Sequence, residues 1–171
     1  DDGGLVLARE IADRAAGVLV VSACGDALGA AYEFDPPKQI PAQVGMVGGG
    51  PFGWEPGEWT DDTSMAWVIA EVVASGADLR DDEAQDQIAA GWYAWMLQAK
   101  DVGAQTRTVM TRAASESGVP TAEALRREAA EHHRRNGRSG GNGSLMRTAP
   151  VALAYLGDPE GLVEAAAQIS A

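Results

Sequence analysis

The segment LVLAREIADRAAGVLVVSACGD, residues 5–26, decides the fold. Its apolar residues Leu5, Ala8, Ile11, Ala12, Ala15, Leu19 and Ala23 recur at steps of three and four, the spacing that lines one face of a helix. Gly25 reads as the stop of that helix. Val18 to Ala23 is apolar but short. It continues the amphipathic Leu5–Ala16 stretch and ends at Gly25-Asp26, so it predicts neither a membrane span nor the core of a signal peptide.

Working outward, residues Phe34 to Gly57 are dense in proline and glycine, with Asp-Pro-Pro, Gly-Gly-Gly-Pro and Glu-Pro-Gly, and no helix runs through such a stretch. A loop of this length within a compact domain is uncommon and often functional. Helical periodicity resumes at Ser64–Ala74, Asp82–Leu97, Ala104–Ser115 and Ala122–His133, then at Val151–Leu156 and Glu160–Ala171. No segment sustains the two-residue alternation of a half-buried strand, and the abundant alanine favours helix. The prediction is an all-α fold, one domain over residues 1–171, without internal repeats.

Composition narrows the function classes. The chain has 171 residues, 46% of them hydrophobic, enough for a core of its own. Its net charge of −12, from 25 acidic against 13 basic side chains, would repel the phosphate backbone of nucleic acid. A phosphate-bearing small molecule stays compatible with that charge where backbone N–H groups or a divalent metal act locally. Cys24 is the only cysteine, so an internal disulfide and a cysteine-based zinc cluster are excluded. Its apolar neighbours predict a buried thiol, and a reducing cytoplasm is expected.

Three stretches hold candidate chemistry. The first, Trp59-Thr60-Asp61-Asp62-Thr63, stands where the glycine-rich loop turns into a helix. Helix capping explains part of it, with Thr60 as N-cap and two carboxylates at the positive end of the dipole. A site for a hard cation explains the doubled acid as well, because such ions take oxygen ligands and charge compensation together. The second, Gly25-Asp26-Ala27-Leu28-Gly29, reads as a helix end with a turn aspartate, and Glu33 follows as a further acid. One loop could join Glu33 to the carboxylates at residues 61 and 62, an arrangement that costs stability unless a cation offsets it.

The third, Ser139-Gly140-Gly141-Asn142-Gly143-Ser144, is either an Asn-Gly turn or a loop that aims several backbone N–H groups at one phosphate. It is not a P-loop, since no Lys-Ser/Thr follows its last glycine. The adjacent His132 and His133 diverge by about 100° on a helix and cannot share a metal there. The arginines around them, Arg126 to Arg138, read as a salt-bridged surface, and the tryptophans, Trp92 and Trp95 among them, as core.

In this order, Gly-Asp-Ala-Leu-Gly with Glu33, Trp-Thr-Asp-Asp-Thr and Gly-Asn-Gly-Ser-Leu-Met-Arg resemble the motifs of the ADP-ribosylglycohydrolases, including the dinitrogenase-reductase-activating type. The resemblance runs from about Leu5 to the end of the chain. It implies an orthogonal all-α fold with two Mg²⁺ or Mn²⁺ ions in a central cleft. It implies Thr60, Asp61 and Asp62 as metal ligands, with Asp61, Asp62 and Glu33 as the catalytic acids. Glu33, Asp101, Gly103, Ser139, Gly140, Asn142, Gly143 and Ser144 would contact substrate, and Asp26 would be structural or support the ligands.

The activity implied is cleavage of the glycosidic bond at the distal ribose of an ADP-ribosylated protein or small molecule, with ADP-ribosyl-arginine as the first guess. Members of the family normally supply a second acidic cluster, Asp-x-Asp-Thr. After Ser144 this sequence offers only Asp158, Glu160 and Glu164. The expectation is therefore an incomplete ligand set in these 171 residues, and the rival reading is a non-catalytic module that binds ADP-ribose or a nucleotide. Leu162, Val163, Ala166 and Ile169 predict an exposed stripe on the last helix, suited to self-association or to pairing with a missing C-terminal half.

Overall fold

Met65, Ile69 and Val72 fall at helical spacing between Asp61 and Ala74, and their burial makes this helix the centre of the core. The computed structural model describes residues 9–36, 41–115 and 117–171. Within them the order is α1 (Arg9–Gly29), α2 (Asp61–Ala74), α3 (Asp82–Met96), α4 (Ala104–Ala114), α5 (Ala122–Asn136), a 3-10 turn (Leu145–Arg147), α6 (Val151–Ala154) and α7 (Pro159–Ser170). The all-helical prediction holds. The only extended pairing among the described residues is an isolated bridge between Gly49 and Trp54. Helix α2 packs against α1, α3, α6 and the 3-10 turn.

Met65, Ile69, Leu79, Ile88 and Val151 are fully buried, each worth about 1.5–3 kcal/mol of transfer free energy for a side chain of this size. Trp92 closes the α2–α3 seam by donating its indole N–H to the carbonyl of Met65 at 2.9 Å. The helices approach closely at Gly91, where an added Cβ would stand 2.5 Å from Cγ1 of Val68. Gly91→Ala is therefore expected to cost about 1–3 kcal/mol by overpacking. Adding Val68→Ala should recover most of that loss in urea melts, and an equal loss in both backgrounds would show that this contact is not its cause.

Several expectations need correction. Helix α1 does not stop at Gly25. The amide of Ala30 still bonds to the carbonyl of Asp26 at 2.9 Å, and Gly25 keeps a right-handed backbone. The cost of an internal glycine, about 1 kcal/mol, is offset by the packing of Ala27 and Ala30, both buried. Leu5 and Ala8 lie outside the described residues. Over the rest of α1 the stripe is only partly covered: Ile11 and Ala12 are exposed, while Ala15, Leu19 and Ala23 are partly buried. Cys24 is exposed, not buried, because only the final turns of α1 reach the core.

Trp92 and Trp54 are core, whereas Trp59 and Trp67 are about half exposed. The stripe on α7 is not exposed either. Ile169 is buried, and Leu162 and Ala166 pack against the core, leaving only Val163 outward. No helix among the described residues is long and apolar enough to cross a membrane.

The loop between α1 and α2 folds on itself. Gly49 and Trp54 exchange both backbone bonds at 2.7 and 2.9 Å. Phe34, Phe52 and Trp54 form a chain of ring contacts, and Lys100 lies over the Trp54 ring while pairing with Glu58 at 2.7 Å. The residues that lead into α2 are thereby tied to the segment joining α3 and α4.

Candidate active site

Thr60 sits at the N-cap of α2 in extended conformation, yet its side chain caps nothing. Capping comes instead from α1. The carboxylate of Asp26 accepts the amide of Thr60 at 3.0 and 3.1 Å and the amide of Thr63 at 3.0 Å. It also accepts the hydroxyl protons of Thr60 at 2.7 Å and Thr63 at 2.6 Å. The simple capping account of Thr60 is thus corrected: Asp26 does this work across 34 residues of sequence. The glycine at position 25 makes a helix stop plausible locally, but α1 continues through Asp26, from where its carboxylate reaches Thr60.

Asp61 and Asp62 follow in the first turn of α2, half-buried, and neither they nor Glu33 forms an ion pair among the described residues. Burial raises the Asp61 carboxyl above its ordinary value, and the charge of Asp101 adds to it. Burial pushes Asp62 up to about 6, with Asp26, Asp61 and Asp101 contributing. Glu33 is raised by burial first and then by Asp101, Asp61, Asp62 and Asp26. Glu33 and Asp101 thus act electrostatically on the carboxylates at the start of α2, and for Glu33 this follows the sequence expectation. Asp101 is itself raised by burial, an effect that Arg107 opposes.

The donor set is all oxygen, carries surplus negative charge and includes a Thr60 hydroxyl whose proton is already committed to Asp26. That chemistry fits a hard divalent cation. Among the described residues, no group of three or more His, Cys, Asp or Glu side chains is placed to hold a metal ion.

A cavity of about 370 Å³ opens beside this turn and is lined by Asp61, Gly103, Ser139, Asn142, Gly143 and Ser144. The glycine-rich loop and the start of α2 thus meet at one space. Gly140 falls outside the lining, as do Thr60, Asp62, Glu33 and Asp101. His133, on α5, has its Nδ1 2.7 Å from the Ser139 hydroxyl, which ties the loop to the end of that helix. Arg134 and Arg135 pair with Glu131, as the salt-bridged reading expected.

Sequence reasoning passed over Arg147. Its guanidinium stacks 3.9 Å above the Trp92 ring and donates from Nη2 to the carbonyl of Ile169 at 3.1 Å, while Nε has no partner. Burial pulls its pKa down to about 10, and it lines the cavity with Gln85 and Arg126. The signal was present as the last residue of Gly-Asn-Gly-Ser-Leu-Met-Arg, but only the packing of the 3-10 turn exposes its role. Gln85 was missed as well. It donates to the carbonyl of Leu79 at 3.0 Å and to Gln168 at 2.5 Å, and accepts from Arg126.

The start of α2 thus brings Asp61 to the cavity that the glycine-rich loop also lines. The ADP-ribosylglycohydrolase family matches residues 8–171, and the chain belongs to that family. It is 35% identical over 155 residues to the ADP-ribosyl-[dinitrogen reductase] glycohydrolase of Rhodospirillum rubrum, a match covering 88% of this chain and 47% of that protein. It is 49% identical over 75 residues to the ADP-ribosylarginine hydrolase Tri1 of Serratia proteamaculans (strain 568), covering 44% of this chain and 20% of that protein. A solved structure described as an ADP-ribosylglycohydrolase-related protein complex superposes with a TM-score of 0.63 at 31% identity, covering 95% of this chain and 50% of the other. The chain spans about half the length, or less, of these relatives.

Proposed function

We propose that this chain contributes to a metal-dependent hydrolase that cleaves the glycosidic bond of an ADP-ribosylated substrate, with ADP-ribosyl-arginine as the first candidate. The observation that carries the reading is the convergence of Asp61 and the Ser139–Ser144 loop on one cavity. Two Mg²⁺ or Mn²⁺ ions would supply Lewis acidity and hold the ribose hydroxyls. Thr60, Asp61 and Asp62 would ligate them, and Glu33, raised by burial and then by its acidic neighbours, would stand ready to exchange a proton with water or a ribose hydroxyl. In the hydrolysis, water adds its hydroxyl to the anomeric carbon and its proton to the departing guanidine nitrogen.

On the far side, backbone donors of Ser139, Asn142 and Gly143 and the guanidinium of Arg147 would face the pyrophosphate, local positive character within a chain of net charge −12. Gly140 would act there only through loop shape, Gly103 as part of the cavity wall, and Asp101 only through its charge on the neighbouring carboxylates. A lone thiol suits a reducing cytoplasm.

A second reading, ADP-ribose binding without cleavage, draws on the lack of a complete carboxylate set among the described residues. Titration calorimetry of the full-length protein with ADP-ribose, adenosine and ribose, paired with an assay of ADP-ribosyl-arginine hydrolysis in Mn²⁺ and in EDTA, separates them. The proposal expects ADP-ribose to bind most tightly and turnover to require metal. Tight binding with no turnover would favour the binding module. Equal affinity for adenosine would remove the phosphate role of the loop.

A further inference from the structure

We infer that the end of the cavity away from α2 is a slot for the purine base of the ligand, and that Arg126 is the residue that reads the edge of that base. The inference rests on the proposed function, which sets the ribose beside Asp61 and the pyrophosphate along the glycine-rich loop and leaves the base to be seated. From there the same cavity runs on between α3, α4 and α5, where Ile88, Val109, Met110 and Leu125 wall it. The first three of these are buried. Packed interiors leave few voids larger than a water molecule. A space of about 370 Å³ with apolar walls and a few polar groups has instead the size and make-up of a small-molecule site.

The polar groups at this end belong to one network. Gln85, only 5% exposed, uses its amide nitrogen on the carbonyl of Leu79 at 3.0 Å and on the Gln168 side chain at 2.5 Å. Its oxygen is thereby turned to Arg126, which donates to it from Nη1. Arg134 and Arg135 on the same helix pair with Glu131, whereas no carboxylate pairs with Arg126 among the described residues. The guanidinium is therefore held by one edge, and its other donors are left for whatever enters the cavity it lines. A purine offers apolar faces to the walls and ring nitrogens that accept along its edge. A guanidinium, which only donates, complements those nitrogens. A ribose or a phosphate would gain nothing from the apolar walls.

The test is titration calorimetry of the full-length protein and its Arg126→Ala variant with ADP-ribose, adenosine and ribose 5-phosphate, with circular dichroism melts alongside. Affinity for ADP-ribose and for adenosine should fall by the same factor, about 10-fold or more for the loss of a hydrogen bond from a charged donor. Ribose 5-phosphate, which has a phosphate but no base, should bind as before. A matching loss for ribose 5-phosphate would assign Arg126 to the phosphates and overturn the inference, as would unchanged affinity for adenosine and ADP-ribose.

If Arg126→Ala does not fold, Ala129→Leu carries the test. Ala129 lines the cavity one turn beyond Arg126 and is only partly buried, so a larger side chain there narrows the slot without entering the core. It should weaken ADP-ribose and adenosine several-fold and spare ribose 5-phosphate, and unchanged affinity again overturns the inference. Adenosine binding that depends on Arg126, in a parent protein that does not bind ADP-ribose, would sink the proposed function instead and leave the base slot standing, which is a distinguishable result.

Discussion

On the proposed function, replacing Asp61 and Asp62 together by asparagine is expected to abolish the metal-dependent hydrolysis of the full-length protein while raising its stability in EDTA. Losing several kcal/mol of ligation and charge stabilisation corresponds to a fall in kcat/KM of about 10³-fold or more. The opposite sign for stability follows from the raised carboxyls. An acid whose folded-state pKa lies above its unfolded value binds protons in the folded state that the unfolded chain has already released. Asp62, raised from 3.8 to about 6, therefore destabilises the metal-free fold progressively as pH climbs through that interval, and fully above it.

Asp61 acts in the same direction. Neutral amides remove this part of the slope, so melts in EDTA between about pH 4 and pH 7 should fall less steeply for the double variant. Added Mn²⁺ should raise the melting temperature of the parent alone. A double variant that is less stable than the parent at neutral pH in EDTA would show that the helix dipole outweighs the crowding of acids.

Gly48→Ala is expected to be the most damaging single change in the loop. Gly48 has a φ of +68°, and a Cβ there would lie 2.5 Å from the carbonyl oxygen of Trp54, 2.8 Å from the nitrogen of Pro56 and 2.9 Å from the carbonyl carbon of Glu55. These are backbone atoms, which cannot rotate away as a side chain could. Left-handed strain adds to the clash, for a cost of about 3 kcal/mol, or roughly 6–12 °C of melting temperature in a domain of this size. The loss should spread to the site, because this loop delivers Thr60 to Asp26. Gly53→Ala is the control: its φ is +63°, but nothing lies within 4 Å of the added Cβ. It should cost only the left-handed penalty, about 1–2 kcal/mol. Equal losses at the two glycines would mean that backbone conformation, not the contact with residues 54–56, sets the cost.

The helices were legible because alanine and spaced apolar residues act locally. Each of the predicted segments from 64 onward reappears within a few residues of its expected bounds. Gly25 misled because a glycine's local preference is worth about 1 kcal/mol, less than the packing of Ala27 and Ala30 that carries α1 on to Gly29. Exposure misled at Cys24, at Trp59 and Trp67 and along α7, since periodicity marks an apolar face without naming what covers it.

Sequence by itself determined the helical class, the glycine-rich break before Thr60 and the ordered motifs that mark the family, all encoded by neighbours within a few residues. Tertiary structure alone decided that Asp26 caps α2, that the charge of Asp101 bears on Asp61 and Asp62, and that Arg147 enters the cavity over Trp92. Those relations join residues tens of positions apart, and they depend on which helix faces meet, a quantity that no local pattern of side chains contains.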